Sequence, residues 1–269
     1  MDNKSVAALL TQALSLKEDE LLLPPHVVTH QVVLKTEQAS YTFPSDSAYH
    51  LTLVVEPGVR VLLSEPQGAD IHARVIELIL LEGAQVTYQV YKNALPSYHF
   101  FKVSVAAHAT FSVSVVQLGE SKSAMAYECT LHGVRAEVSY EGRVHTQGSA
   151  QHRLFFHQIH TAPDTISNVD VKTVAQGTST YRYEGTIVIE KNAVHSQAHQ
   201  QHKTLILSPQ AQVSSIPNLE VHTHQVACGH GSAIAHLDAD HLFYLASRGL
   251  SYEQAKDLIV QGFLDIPFL

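Results

Sequence analysis

Four short stretches decide the fold of this chain, and each begins 25 residues after the one before: Gly58-Val59-Arg60-Val61, Gly83-Ala84-Gln85-Val86, His108-Ala109-Thr110-Phe111 and Gly133-Val134-Arg135-Ala136. Each stretch places a turn residue before a small apolar residue and the start of a strand. A fixed period in the twenties is typical of a solenoid, in which each coil buries its inner face by stacking on its neighbours. An antiparallel sandwich or jelly roll is the alternative, but it has no reason to keep equal spacing across several loops. We therefore predict a parallel β-helix.

The residues around these stretches alternate between apolar and polar from about His26 to Val226. Phe101, Val103 and Val105, for example, alternate with Lys102 and Ser104. Strand-favouring residues dominate, and no long helical stripe interrupts them. The sequence therefore predicts an all-β core over residues 26–234. Near the end of this core, similar turn sequences recur at intervals other than 25 residues.

The first 25 residues predict a helical segment instead. Apolar residues recur at intervals of three and four on one face, at Val6, Leu9, Leu10, Ala13 and Leu14. The pair Pro24-Pro25 then ends any helix and begins extended chain.

Residues 235–269 predict a second helical segment, a hairpin of two short helices. Asp238 is a candidate N-cap for the first helix, and Gly249 is suited to its left-handed end. Ser251 begins a capping box with Gln254 for the second helix. Such a hairpin could close the open end of the solenoid, because an uncovered sheet edge invites aggregation.

Composition bounds the classes of function. The 269 residues are 45% apolar and 16% charged, which excludes a disordered chain. The net charge of −8 argues against binding to nucleic acid or to an anionic membrane surface, since both require an excess of basic residues. No apolar stretch approaches the roughly 20 residues of a membrane helix. Two cysteines and a start without secretion-signal features favour a soluble cytoplasmic protein.

Common catalytic motifs are missing from the sequence. It contains no phosphate-binding G-x-x-x-x-G-K-[ST] loop, no G-x-S-x-G elbow and no H-E-x-x-H. A step driven by nucleotide hydrolysis would therefore need another subunit.

Histidines number 19, more than the 17 lysines and arginines together, and the densest cluster lies at residues 222–230. If this run is a strand, His222, His224 and Cys228 alternate onto one face and His230 follows. Thiolate and imidazole suit zinc or iron, and thiolate is the usual anchor of iron–sulfur units. The alternative is that the histidines are solvated and Cys228 only packs. Both interpretations remain open at this stage.

A metal-dependent enzyme on a β-solenoid or cupin-like barrel could use these histidines. The cupin motif, however, requires a glutamate shortly after His222-x-His224, and residues 225–229 supply no carboxylate. We expect Cys129 to be a packing residue. We expect the histidines within residues 151–160 to decorate a strand, and His195, His199 and His202 to occupy scattered surface positions.

Several ordered blocks resemble the SufB/SufD family of iron–sulfur cluster assembly proteins, most closely SufD in a short form. The blocks are Tyr183-Glu184-Gly185-Thr186-Ile187, Ser208-Pro209-Gln210-Ala211-Gln212-Val213, Pro217-Asn218-Leu219-Glu220-Val221, Val226-Ala227-Cys228-Gly229-His230-Gly231, Leu237-Asp238 and Leu242-Phe243-Tyr244-Leu245-Ala246-Ser247-Arg248-Gly249-Leu250.

The resemblance implies a right-handed parallel β-helix with terminal helices. It also implies a non-enzymatic role as a cytoplasmic scaffold that acts with the ATPase SufC. The partner would be a SufB-like protein or a second copy of this chain. By resemblance, the hairpin docks SufC through five residues: Leu242, Phe243, Tyr244, Leu245 and Arg248.

The family's Cys-x-His positions match Cys228 and His230, near the subunit interface where a nascent iron–sulfur cluster or iron is handled transiently. Where the family commonly carries an aspartate pair before the cysteine, this chain departs with His224 and Gln225. His224 is the third candidate for metal or cluster handling. A homodimer would bring two such sets together across a two-fold axis.

Overall fold

The computed structural model describes residues 3–14, 27–35, 40–46, 48–65, 73–93 and 97–266. Helix α1 (Asn3–Ala13) precedes the strands, and helices α2 (Ala239–Ser247) and α3 (Tyr252–Leu264) follow them. The strands are β1 (Val28–Leu34), β2 (Ser40–Thr42), β3 (Ala48–Val55), β4 (Arg60–Ser64), β5 (Ala73–Leu80), β6 (Gln85–Asn93), β7 (Ser97–Val105), β8 (Thr110–Gly119), β9 (Lys122–Leu131), β10 (Glu137–Thr146), β11 (Gln151–His160), β12 (Ile166–Ala175), β13 (Thr180–Ile189), β14 (Gln197–Ile206), β15 (Gln212–Val221) and β16 (Ala227–His236).

These strands form two sheets of eight, and the chain alternates between them. The odd-numbered strands form sheet A in the order β1-β3-β5-β7-β9-β11-β13-β15, and the even-numbered strands form sheet B from β2 to β16 in the same way. The paired strands run parallel. The predicted all-β parallel solenoid is therefore confirmed, and the antiparallel sandwich is excluded.

The length of each coil grows along the chain. Ala48 pairs with Ala73, 25 residues later, whereas Arg182 pairs with Ser214, 32 residues later. The coil corner keeps one geometry throughout: a residue with positive φ donates its N–H to a carbonyl of the next coil. These corner residues are Gly58, Gly83, His108, Arg135, Asp164 and His195. The 25-residue period ends where both the strands and the corners lengthen: β5 has 8 residues, whereas β9 and the later strands have 10.

The lumen between the sheets holds the main core. Its first coils are lined by apolar side chains such as Leu51, Leu78 and Val103, all buried. Phe101, Tyr127 and Phe156 stack on successive strands with ring centroids 4.8 and 5.3 Å apart. Stacked aromatic rings in a sealed lumen bury a large apolar area, which supports the coil-by-coil assembly.

Helix α1 packs on the outer face of sheet A. Leu10 and Leu14 are fully buried there against small and aromatic residues that include Ala73 and Phe100. The predicted N-terminal helix is confirmed, and Leu10 and Leu14 of its apolar stripe form a packing surface. The predicted helix end at Pro24-Pro25 lies outside the described residues.

The C-terminal hairpin forms with the predicted caps. Asp238 accepts from the N–H of Asp240, and Ser251 and Gln254 complete the capping box. Gly249 has a φ of 95° after α2.

The hairpin does not cover the open end of the solenoid, so that expectation is wrong. Instead, α3 packs on the outer face of sheet B, where Val260 and Leu264 contact a cluster with Val174 and Leu205. Lys172 of β12 forms an ion pair with Asp265 at the end of α3. Outward-facing apolar residues on β12 and β14 form the surface on which α3 packs. The spacing of residues within α3 could not predict which surface this would be.

Candidate functional site

The last coil leaves one open edge on each sheet. β15 ends sheet A and β16 ends sheet B in the described part of the chain. Toward β14, the N–H groups of Ala227 and Leu237 donate to the carbonyls of Ser196 and Ile206. Alternate residues of a strand direct their peptide groups to opposite sides, so the even-numbered residues of β16 direct theirs to the open edge.

Cys228 and His230 lie on this edge strand with their side chains on one face. Their register partners on β14 are the buried Ala198 and Gln200, which places Cys228 and His230 on the lumen side. Residues two apart on a strand share a face, so the thiol and the imidazole are neighbours. Their side chains and their unpaired peptide groups therefore meet at the same edge.

The two side chains differ in exposure. Cys228 is half-buried and packs against a small apolar cluster that includes Ile187 and Ala198, and this burial raises the pKa of its thiol. His230 is exposed. The thiol is therefore reachable but largely protonated at neutral pH, and a neighbouring cation or metal would favour the thiolate.

Residues 222–230 do not form one strand, so the condition for a shared face of His222, His224 and Cys228 is not met. β15 ends at Val221 and β16 begins at Ala227, so His222 and His224 lie on the corner between them. Corner residues do not alternate as strand residues do, and His224 is therefore not in the Cys228–His230 row. Over the described ranges, no group of three or more His, Cys, Asp or Glu side chains is arranged to hold a metal ion.

A fully paired polar layer lies behind His230. Gln200 accepts from the hydroxyl of Tyr183 at 3.1 Å and donates to the carbonyls of Gly185 and Asn218. A Cβ on Gly185 would lie 2.2 Å from Gln200 Oε1, so only glycine leaves room for this arrangement. Tyr183, Gly185 and Asn218 lie in the quoted sequence blocks, but spacing alone did not reveal their contact with Gln200.

Several histidines expected on the surface or in a decorated strand are inside the lumen. His152, His160 and His202 are almost completely buried, and burial lowers the pKa of each to about 4. The surface prediction for His202 is therefore wrong, because polar alternation does not distinguish the lumen from the outer face. His195 and His199 are exposed as expected. Cys129 is fully buried, which confirms that it packs, and burial raises the pKa of its thiol.

The two open edges differ in one residue that the sequence analysis missed. Gln212 and His222 donate toward β13, so the odd-numbered residues of β15 face the open edge. Pro217 is one of them and has no N–H to offer. β15 is therefore interrupted in the middle as a pairing edge, whereas β16 contains no proline.

The hairpin presents an exposed aromatic surface. Phe243 is 77% exposed and Tyr244 is 56% exposed, with the Arg248 guanidinium 5.3 Å from the Tyr244 ring centroid. Leu242 and Leu245 are half-buried, and α2 contains no buried residue. Large apolar residues exposed together on one element are typical of a protein–protein contact.

Two further residues of α3 extend the exposed apolar character of the hairpin. Tyr252 is 59% exposed and Leu258 is 49% exposed. Leu258 does not share the burial of Val260 on the same helix. Across the ranges that the structure describes, no helix has the length and apolar character needed to cross a membrane.

The chain is similar in sequence to proteins of one family. Residues 36–263 match the family model described as SUF system FeS cluster assembly, SufBD core domain. Iron–sulfur cluster assembly SufBD family proteins of Staphylococcus haemolyticus, Staphylococcus epidermidis and Staphylococcus aureus are each 28% identical to this chain over 209 residues. Each alignment covers 74% of this chain and 43% of the relative, so the chain spans less than half the length of these relatives. The family model spans most of the chain, and this protein therefore belongs to the SufBD family of SUF-system iron–sulfur cluster assembly proteins.

Proposed function

We propose that this chain is a non-enzymatic scaffold subunit of a cytoplasmic SUF-type assembly complex. It holds a nascent iron–sulfur cluster, or iron, as cargo at Cys228 and His230, while a SufC-type ATPase docked on the hairpin hydrolyses ATP. The observation that carries the proposal is the open edge strand β16, which presents a thiol and an imidazole on one face beside unpaired peptide groups.

One chain offers only two adjacent donors on this strand, and a partner subunit would supply the others. If β16 pairs antiparallel with β16 of a second copy about a two-fold axis beside Gly229, Cys228 of each copy lies directly opposite His230 of the other. Such directly opposed residues have Cα atoms about 5.5 Å apart and side chains on one face. A SufB-like partner could add an equivalent strand in the same way.

The hairpin supports the second half of the proposal. The exposed aromatic residues of the hairpin lie on α2, which begins two residues after β16 ends. An ATPase bound to α2 would therefore be close to β16, the strand that carries Cys228 and His230. Aromatic residues and arginine are the side chains most enriched at binding hot spots.

Anaerobic reconstitution with iron and sulfide in the presence of a SufC-type ATPase tests the cargo site. Cys228→Ala and His230→Ala are expected to lose cluster retention and transfer. Ser232→Ala is the matched control, because Ser232 lies on the same strand and face. If both site variants acquire and transfer clusters as the unsubstituted protein does, the assignment of the site is wrong.

A proline on the edge strand tests subunit pairing. Ser232→Pro removes a peptide N–H from the open edge without removing one that faces β14, so pairing should weaken while the fold persists. Analytical ultracentrifugation of the chain alone and with a SufB-like partner measures the effect, with Ser232→Ala as the control. Unchanged association in both mixtures would rule out pairing through β16.

Substitution of the hairpin tests ATPase docking. Phe243→Ala should abolish co-purification with the SufC-type ATPase without lowering the melting temperature. Ile216→Ala is the control, since Ile216 is an exposed apolar residue on β15 rather than on the hairpin. Equal loss of the ATPase in both variants, or in neither, would contradict docking on α2.

A metal-dependent enzyme is the alternative class of function. It requires stoichiometric metal in aerobically purified protein and turnover without the ATPase. Metal analysis of the isolated chain separates the two proposals, because a transient cargo site should be substoichiometric after aerobic purification.

A further inference from the structure

The lumen changes character along the solenoid axis. Apart from the buried Arg74, its first coils are mostly apolar, whereas from β11 onward the inward-facing positions include several buried histidine, serine and threonine side chains. Most of these find partners within the protein. His160, for example, contacts Thr165 Oγ1 at 2.7 Å through Nδ1 and Ser167 Oγ at 2.8 Å through Nε2.

This hydrogen bonding extends to the first residue of β16, the strand that carries Cys228 and His230. Thr165 Oγ1 lies 2.7 Å from Ser196 Oγ, and the Ser196 carbonyl accepts the N–H of Ala227, the residue before Cys228. The hydrogen-bonded seam of His160, Thr165 and Ser196 therefore connects the lumen side of β11 to the first residue of β16.

Gln158, beside this seam, is the buried side chain whose amide nitrogen and oxygen both lack a partner within the described residues, whereas His152 and Tyr181 each lack one at a single atom. Gln158 is 0% exposed on the inner face of β11, two residues before His160. Neither its amide nitrogen nor its amide oxygen has a hydrogen-bond partner among the described protein groups. Its register neighbours, Cys129 and Ile187, provide a weakly bonding thiol and a hydrocarbon side chain.

A dry glutamine in this position would be costly. An amide transferred from water without hydrogen bonds loses about 1–3 kcal/mol in proteins, and a hydrocarbon of the same length would avoid the loss. The two ring nitrogens of His160 are already engaged, so that side chain cannot serve as a ring-nitrogen partner for Gln158. A ligand here must be small and neutral, and it must both donate and accept hydrogen bonds.

We propose that Gln158 anchors an internal water site in the lumen, between β9, β11 and β13. A buried water makes about three hydrogen bonds, and the Gln158 amide offers both a donor and an acceptor to it. The seam residue His160 lies two residues further along the same strand and face, so the proposed site is beside the polar seam.

Nuclear Overhauser measurements on the deuterated full-length protein test the site directly. The side-chain amide protons of Gln158 should show cross-peaks to water whose sign indicates a residence time of nanoseconds or longer. The amide of Gln200, which is bonded to protein groups, is the internal control and should show none. Absence of water cross-peaks at Gln158 would overturn the proposal.

A variant of similar length gives a second measurement. Gln158→Met should change the unfolding equilibrium constant by less than about tenfold. The variant loses the hydrogen bonds to the water, but it also no longer buries a polar amide, and the two effects oppose each other. A dry amide predicts that the same variant is stabilised more than about tenfold, and that result would also overturn the proposal. Cluster retention at Cys228 is expected to be unchanged in this variant, so the outcome is independent of the proposed scaffold role.

Discussion

The buried Arg74 in the first coils offers a sharp test of what holds the lumen together. Its side chain is fully buried, with Nη1 2.7 Å and Nη2 2.5 Å from the two carboxylate oxygens of Glu65. Nη1 also donates to the hydroxyl of Tyr49 at 3.2 Å, and the guanidinium lies 5.0 Å from the Phe43 ring centroid. We predict that Arg74→Met strongly destabilises the fold although methionine fills much of the same space.

The magnitude follows from what the substitution leaves behind. Removing one partner of a buried ion pair typically costs about 3–5 kcal/mol, because the other charge stays buried and unpaired. The Glu65 side chain is 22% exposed and keeps the hydrogen bond that the Tyr88 hydroxyl donates to it, so we expect the lower end, about 3 kcal/mol. For a chain of this length, that loss corresponds to a decrease of roughly 6 °C in melting temperature.

Urea denaturation and thermal melting, both followed by circular dichroism, measure the effect. The double variant Glu65→Gln/Arg74→Met removes the stranded charge and should recover part of the stability. A melting temperature for Arg74→Met within about 1 °C of the unsubstituted protein, or a double variant no more stable than the single one, would refute the reasoning.

Three further outcomes follow from burial in the lumen. The free energy of unfolding should fall as pH decreases from about 6.5 to about 4, with a slope of up to about 4 kcal/mol per pH unit. The cause is that the unfolded chain binds protons that His152, His160 and His202 exclude while they are buried. Urea titrations at several pH values should show this slope decreasing by about one third for each of the three histidines that is replaced. Iodoacetamide should modify Cys228 in the native protein and Cys129 only after unfolding, as read by mass spectrometry; equal rates would contradict the burial of Cys129. Gly185→Ala should cost about 2 kcal/mol in urea denaturation, because the added methyl displaces Gln200, and unaltered stability would mean that this polar layer is not tightly packed.

The repeat was predictable because its corners carry distinctive residues, and it became obscure where they do not. Gly58, Gly83 and His108 begin the quoted stretches and all have positive φ. In the fourth stretch the positive φ is at Arg135, two residues after Gly133, and later corners use Asp164 and His195. Longer strands and longer corners change the period without changing how the coils stack, so a search for a fixed spacing could not follow the later coils.

The site was only partly predictable for a related reason. Cys228 and His230 could be placed two apart on a strand, but the corner at residues 222–226 contains neither glycine nor proline to mark it. When both faces of a strand carry polar residues, the sequence does not show which face points into the lumen. For this reason the buried His202 was expected at the surface. Which face of a sheet receives a helix depends on long-range contacts such as that of Leu205 with α3, and spacing within a helix carries no information about them.

Pro217 has a consequence for how many chains can join. A parallel coil whose two ends were both free to bond could add copies head to tail without limit and grow into a filament. At the C-terminal end, Pro217 blocks the middle of one sheet edge, and at the other end the first strand of sheet B, β2, spans only Ser40–Thr42. Endless stacking would therefore lack a continuous template, while a two-fold pairing through β16 consumes its own edge and stops at two subunits.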